Sequence, residues 1–324
     1  MYYTYFGFKR NPFEIIPDPT FLFLSKQHRE ALSYLKYAVL EKKPFLLLIG
    51  DIGVGKTLLL NFFIRNFNEK KNVVLIPILN PNLTLNDFYL LVAKKVGLYN
   101  IKSKAEFLEE FQSYISNLSK QGKSVVLLID DVQAMPLSLL KELQLLSNVV
   151  SDSQCFVVIL VGQPALYVRL MNPKMLPLRQ RFSFKFYLEA FNTVEDVEQY
   201  LKTRILKAGS SRTDLFTSEA IEAIFSLSGG VPRLINIICD HALLEAYLQR
   251  KSIIDKKVIL EAIKDIDHLV FAKSFSFGFG KAKKVLAIIL FLFIILLIIG
   301  LFYFVGLVGL DLKEILGVIK ESLG

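Results

Sequence analysis

The sequence predicts an α/β fold: a parallel sheet core wrapped by helices, then a small all-helical domain, then one C-terminal transmembrane helix. Three observations predict it. Short continuous apolar runs alternate with stretches of helical periodicity, the signature of a sheet buried on both faces. After Phe182–Leu188, the last such run, the pattern is helical alone. Residues 285–310 then carry no charged residue at all.

Residues 1–24 are aromatic and proline-rich, with Asn11-Pro-Phe13 and Pro17-Asp-Pro19, and read as an ordered extended arm. Apolar Leu32, Leu35 and Val39 place a helix over Gln27–Leu40. Phe45–Ile49, bounded by Pro44 and Gly50, is a strand, and a helix starts near Lys56 and runs to about Asn66. Val73–Leu79, Val125–Ile129, Phe156–Val161 and Phe182–Leu188 supply the other strands. Thr193-Val-Glu-Asp196 resembles a helix-opening cap for a helix through Lys207. A further helix follows Thr217 and stops at Gly229-Gly230. Another opens at Val231-Pro232, where proline suits a first turn, and runs to about Gln249. Ile254 to about Ile266 is the last.

Of the 324 residues 53% are hydrophobic, and that excess is concentrated after residue 284. The net charge of +9 suits nucleic acid, an anionic membrane surface or plain solubility. Cys155 and Cys239 lie in separate apolar runs without metal-ligand spacing, which fits small buried side chains in a reducing compartment. The histidines share no context that would make a metal site. The N-terminus lacks the apolar core of a secretory signal, so the body of the chain is expected in the cytoplasm.

Gly50-Asp51-Ile52-Gly53-Val54-Gly55-Lys56-Thr57, followed by Leu58, fits the Walker A pattern of a P-loop and lies between a strand and a helix, as that motif requires. Its glycines let main-chain N–H groups wrap phosphate oxygens at a helix N-terminus. Lys56 is expected to reach the β- and γ-phosphates of ATP, and Thr57 to ligate Mg2+. Val125–Ile129 ends in Asp130-Asp131, the Walker B arrangement, with Asp130 in the Mg2+ shell and Asp131 positioning the attacking water. Without the P-loop upstream, two aspartates ending a strand would read as a helix cap.

In these motifs the chain resembles the AAA+ ATPases, and within them the general secretion pathway protein A (ExeA-type) family, including relatives in pilus-assembly and exopolysaccharide loci. The likeness spans about residues 1–270. It includes the Asn-Pro-Phe and Pro-Asp-Pro arm, Ser25-Lys-Gln-His28 leading to Glu30-Ala-Leu32, and both Walker motifs with Gln133. It continues through Leu145-Leu-Ser-Asn148, Leu160-Val-Gly-Gln-Pro164, Leu178-Arg-Gln-Arg181 and Gly230-Val-Pro-Arg233. The resemblance implies that Gln163 is the sensor 1 residue, with capping of the next turn as its plainer role. It implies that Arg181 is an arginine finger reaching a neighbouring subunit's nucleotide, with Arg179 an equal rival. Arg233 matches sensor 2, and because a helix-start arginine opposes the helix dipole, a bound anion explains it. Asn80 could pair with Asp131, and Phe13 packs either beside the adenine or in the core. Two features depart from the family. Its Walker B usually ends in Asp-Glu, one methylene longer than here, and its members are expected to carry a peptidoglycan-binding domain beyond the membrane.

Residues 285–310 number about 26, against about 20 needed to span a bilayer, and Lys273, Lys281, Lys283 and Lys284 precede them. This expectation gives a single-pass protein of the inner membrane, with the ATPase part in the cytoplasm and the C-terminus outside. Gly300, Gly306 and Gly309 would permit close helix packing. The tail has Leu312, Ile315, Leu316 and Ile319 at helical spacing and either lies on the outer leaflet, meets a partner or frays. The expected organisation is 1–190 for the core with its arm, 191–270 for a helical lid, 271–284 for a basic linker, 285–310 for the membrane helix and 311–324 for the tail. The expected partners are further copies of the chain, inner-membrane lipid and envelope secretion or pilus-assembly proteins. Nucleic acid is not expected, although a DNA-handling ATPase is the rival reading, and a non-hydrolysing ATP-dependent scaffold is another.

Overall fold

Five strands, Phe45–Gly50 (β1), Val73–Ile78 (β2), Ser124–Ile129 (β3), Phe156–Gly162 (β4) and Phe182–Leu188 (β5), form one sheet in the order β2-β3-β4-β1-β5. Every pairing is parallel. The computed structural model describes residues 2–68, 72–150, 153 and 155–265. The expected linker, membrane helix and tail lie outside the described residues, as do the last residues of the expected lid. Among the described residues no helix is long and apolar enough to cross a membrane.

The central strands β1, β3 and β4 are buried along their whole length because helices cover both faces of the sheet. Side chains alternate between those faces. Phe45, Leu47 and Ile49 of β1 enter one apolar layer with Phe88 of α4 (Leu85–Val96), Phe107 of α5 (Lys104–Lys120), Leu143 of α6 (Leu137–Val149) and Leu166 of α7 (Pro164–Leu170). Leu46 and Leu48 enter the other with Leu35 of α2 (Lys26–Leu40) and Phe63 of α3 (Lys56–Asn68). The edge strand β5 alternates half-buried and exposed residues, and tyrosines of α2 cover its apolar side, with Tyr34 and Phe186 ring centroids 5.3 Å apart. Before β5 comes the short α8 (Leu176–Arg179).

Among the described residues four helices follow the sheet: α9 (Val194–Lys207), α10 (Ser218–Ser228), α11 (Pro232–Leu248) and α12 (Lys256–Ala262). The Thr193 hydroxyl accepts from the Asp196 N–H at 3.1 Å, so the expected cap opens α9. Gly229, at φ 57, ends α10 in the left-handed conformation glycine tolerates. The last helix starts two residues later than its periodicity suggests. Ile254 is held in a parallel bridge with Phe216, and Asp255 caps the helix by accepting from the Val258 N–H at 2.9 Å.

The N-terminal arm departs from the extended expectation. Tyr2–Tyr5 form a helical turn (α1), and Pro19–Phe21 a 3-10 turn capped by Asp18. Phe13 is fully buried, edge-on to Phe216 at 6.1 Å, so it packs in the core. Arg204 of α9 ties the arm down: its buried guanidinium donates to the Pro12 and Glu14 carbonyls and lies 4.7 Å from the Phe21 ring centroid. A buried guanidinium is stable only with its donors satisfied, and the arm supplies the acceptors. Arg204→Ala is therefore expected to unseat the arm and speed tryptic cleavage at Lys9 and Arg10 about tenfold. Cleavage at the parent rate would contradict this anchoring.

Candidate functional site

The carboxyl ends of β1, β4 and β3 lie side by side, and the chemistry-bearing residues cluster there. Gly50 ends β1, residues 51–55 form the turn, and Lys56 opens α3. Gly53 and Gly55 have φ of 87° and 97°, a backbone conformation that L side chains rarely adopt. A Cβ on Gly53 would lie 2.7 Å from the Cβ of Arg233, so glycine also makes room for α11. The Arg233 N–H donates to the Gly53 carbonyl at 3.2 Å, joining the N-terminus of α11 to the P-loop.

Lys56 is 7% exposed, and its Nζ donates to the carbonyls of Gly50 and Asp51, both at 2.8 Å. Burial holds its ammonium below the usual lysine range, while Asp130, Asp131 and Asp51 pull it back up. The Thr57 hydroxyl donates to Asp130 Oδ2 at 2.7 Å, and Asp130 Oδ1 accepts the Asp131 N–H at 2.9 Å. Burial raises the Asp130 carboxyl above the ordinary carboxylate value, against both hydrogen bonds.

Asp131 is exposed and sits at φ 52°, an uncommon conformation outside glycine that a short polar side chain tolerates. Its Oδ1 accepts from Gln133 Nε2 at 2.9 Å, and Gln133 Oε1 accepts the Gln163 N–H at 3.0 Å. Gln133 thus ties the end of β3 to the end of β4. Asn80 does not pair with Asp131 as expected; its side chain accepts the Asn82 N–H in a local turn. The Gln163 side chain makes no capping bond to α7.

These groups face a cleft of ≈ 580 Å3, within the size range of small-ligand sites. Ile52, Gly53, Gly55, Lys56, Thr57, Leu58, Asp131, Gln163 and Arg233 line it. Asp130 reaches it through Thr57, while Val54 turns its buried side chain into the core. The Asp51 carboxylate points instead to Tyr187, accepting its hydroxyl at 2.9 Å. Arg181 stands apart from the lining, its Nη1 donating to Ser147 Oγ of α6 at 3.1 Å. Arg179 contacts the sulfur of Met171. The far wall is built from Glu14–Asp18 of the arm, with Tyr200, Arg204 and Asn236. The sequence reading named the arm but not these helix residues, whose approach depends on contacts across the chain.

A further residue carried no chemical assignment from sequence. His28, buried in α2, places Nε2 3.1 Å from the Val54 carbonyl and Nδ1 2.7 Å from Ser25 Oγ. A carbonyl only accepts, so Nε2 carries the proton and Nδ1 accepts from the serine hydroxyl. C=O and N–H point opposite ways across a trans peptide. Pinning the Val54 carbonyl under the loop therefore turns the Gly55 N–H toward the cleft. The Ser25-x-x-His28 spacing before a helix was the available signal.

Burial holds the His28 pKa below 6.5, with the charge of Asp196 opposing in part. The unfolded chain therefore takes up a proton first as pH falls. The stabilising contribution is complete above about pH 6.5 and is lost as pH drops toward the lowered folded value. His28→Gln keeps a donor but does not titrate. Between about pH 7.5 and 5.5 it is expected to lose less stability than the parent in urea unfolding. Parallel curves for the two proteins would contradict a neutral, buried His28.

The AAA domain family matches residues 39–170. General secretion pathway protein A of Aeromonas hydrophila is 34% identical over 251 residues, covering 76% of this chain and 45% of that protein, so the chain spans about half the length of this relative. The fold superposes on the Aeropyrum pernix ORC2 protein in its ADPNP–ADP complexes, with TM-score 0.58 and 19% identity over 80% of this chain and 72% of that one. It also superposes on Cdc6p of Pyrobaculum aerophilum, with TM-score 0.59 and 16% identity over 78% and 71%. Identities this low speak for the shared fold alone. The chain belongs to the AAA+ family of P-loop NTPases, among the relatives of general secretion pathway protein A.

Proposed function

We propose that this protein binds ATP with Mg2+ and hydrolyses it, and that the cycle energises or regulates an envelope secretion, pilus or polysaccharide-export machine. The observation that carries the reading is the 2.7 Å bond between Thr57 and Asp130, which brings both Walker motifs to one corner of the cleft. Their oxygens suit a hard cation, and a buried carboxylate whose charge is penalised by burial gains from one. Mg2+ held there would screen the negative charge of the phosphate chain.

In this reading the N–H groups of residues 53–57 receive phosphate oxygens at the start of α3. Lys56 exchanges its two carbonyl partners for β- and γ-phosphate oxygens. Asp131 accepts a proton-side hydrogen bond from the attacking water, and Gln163 fixes the far side of that water. Arg233, from α11, neutralises charge developing on the γ-phosphate. Arg181 lies outside its own cleft lining, which suits a finger offered to a neighbouring copy, so protomers must meet for full activity.

The anchor is assigned to residues 285–310, with the lysines before them on the cytoplasmic side of the inner membrane. The envelope role leans on the 34% identity with the Aeromonas protein, of which this chain spans 45%.

The test is the ATPase rate per protomer of the full-length chain as protein concentration rises. The rate is expected to climb with concentration. Asp131→Asn should lower it about a hundredfold with ATP affinity retained, and Arg181→Ala should remove the concentration-dependent part. ATP binding with no turnover at any concentration would overturn hydrolysis and leave ATP as a conformational ligand.

A further inference from the structure

The far wall of the cleft holds a polar group that none of the chemistry above uses. Asn236 lies on α11 three residues after Arg233, so both side chains share one face of that helix and line the cleft. It is 7% exposed. Its amide orientation follows from a chain of donors. The Arg204 guanidinium can only donate, and its Nη1 donates to Tyr200 Oη at 3.1 Å. The tyrosine hydrogen is then free to be given to Asn236 Oδ1, at 2.8 Å. With Oδ1 so engaged, Nδ2 is left without a protein acceptor, and since no buried side-chain polar atom among the described residues lacks a partner, Nδ2 is open to water in the cleft. A donor held in one orientation at the wall of a cleft can exchange its water for a ligand acceptor without reorganising.

The position limits what that ligand atom is. Arg233 meets the P-loop through its N–H, Asn236 lies about one helical turn further along α11, and the same cleft is lined by the arm residues Ile15 and Ile16, both exposed. Apolar side chains beside one oriented donor suit the nucleoside half of a nucleotide, a flat ring with few acceptors. We propose that Asn236 reads the nucleoside, its Nδ2 donating to a purine ring nitrogen or a ribose hydroxyl, and that the Arg204–Tyr200 pair exists to aim it. The inference rests on the nucleotide reading of the site. It makes Arg204 serve two ends at once, since the same guanidinium anchors the arm that forms the opposing wall.

The experiment titrates the full-length chain with Mg-ATP and with Mg-tripolyphosphate, which keeps the phosphates and lacks the nucleoside. Asn236→Ala is expected to weaken ATP about tenfold and leave tripolyphosphate within about twofold. Asn236→Asp keeps the acceptor for Tyr200 but lacks the donor, so it should retain thermal stability and still lose ATP affinity. Lys56→Ala should lose both ligands; if it loses neither, the nucleotide reading itself fails, whatever Asn236 does. The 1-, 3- and 7-deaza and 2′- and 3′-deoxy analogues of ATP then locate the acceptor. The analogue that is weakened in the parent but no further in Asn236→Ala names the atom. ATP affinity within about twofold of the parent in Asn236→Ala, an equal loss for tripolyphosphate, or additivity for all five analogues would each overturn the proposal.

Discussion

The bond from Thr57 to Asp130 depends on the register of the sheet, and the site depends on that bond. Thr57 follows β1 and Asp130 follows β3, and β4 lies between them. Ile49 is level with Gly162 of β4, while Ile129 is level with Leu160. With Gly50 one residue beyond Ile49, the two strands therefore end within about three residues of each other, about 10 Å along the sheet. A slip of one residue would also turn each strand's side chains to the opposite apolar layer. Leu47, Leu127 and Val158 in one layer, and Leu46, Val126 and Val157 in the other, hold the register, and with it the corner where the motifs meet.

The P-loop is gripped on two sides. From below, His28 takes the Val54 carbonyl and fills the space a Cβ on Gly55 would need, with Nε2 3.1 Å from that point. On the side of α11, the N–H of Arg233 takes the Gly53 carbonyl. A loop held by its carbonyls presents its N–H groups without reorganisation, which is the condition for strong anion binding. The second grip has a dynamic consequence. Any displacement of α11 acts on Gly53 directly, so the helix that carries Arg233 and Asn236 cannot move without altering the P-loop.

Much of this was legible in the sequence, and the limits are physical. The five strands were, because continuous apolar runs between glycine and proline punctuation have few other readings. The meeting of Thr57 with Asp130 was, because a Walker A at a strand–helix turn limits where a downstream strand can end in an Asp. Residues that work through long-range contact were not. Arg204 meets Pro12 and Glu14 from about 190 positions away in sequence, a separation no periodicity records. The expected extended arm contains a helical turn, and Phe13 found its place against Phe216 through packing that local propensity cannot specify. Asn80 offered the right chemistry for Asp131 but satisfied itself in a local turn, and Gln133, two residues along, reached the carboxylate first.

The most direct test of the account is the Mg2+ dependence of ATP binding in the parent and in Asp130→Asn, measured on the full-length chain with and without metal chelation. If Thr57 and Asp130 form the metal corner of a nucleotide site, chelation should weaken ATP binding about tenfold or more in the parent. In Asp130→Asn the dependence should disappear, with metal-free affinity unchanged or higher as one negative charge is removed. A variant that keeps the parent's full Mg2+ dependence would show that the carboxylate does not serve the metal, and the assignment of this corner would be wrong.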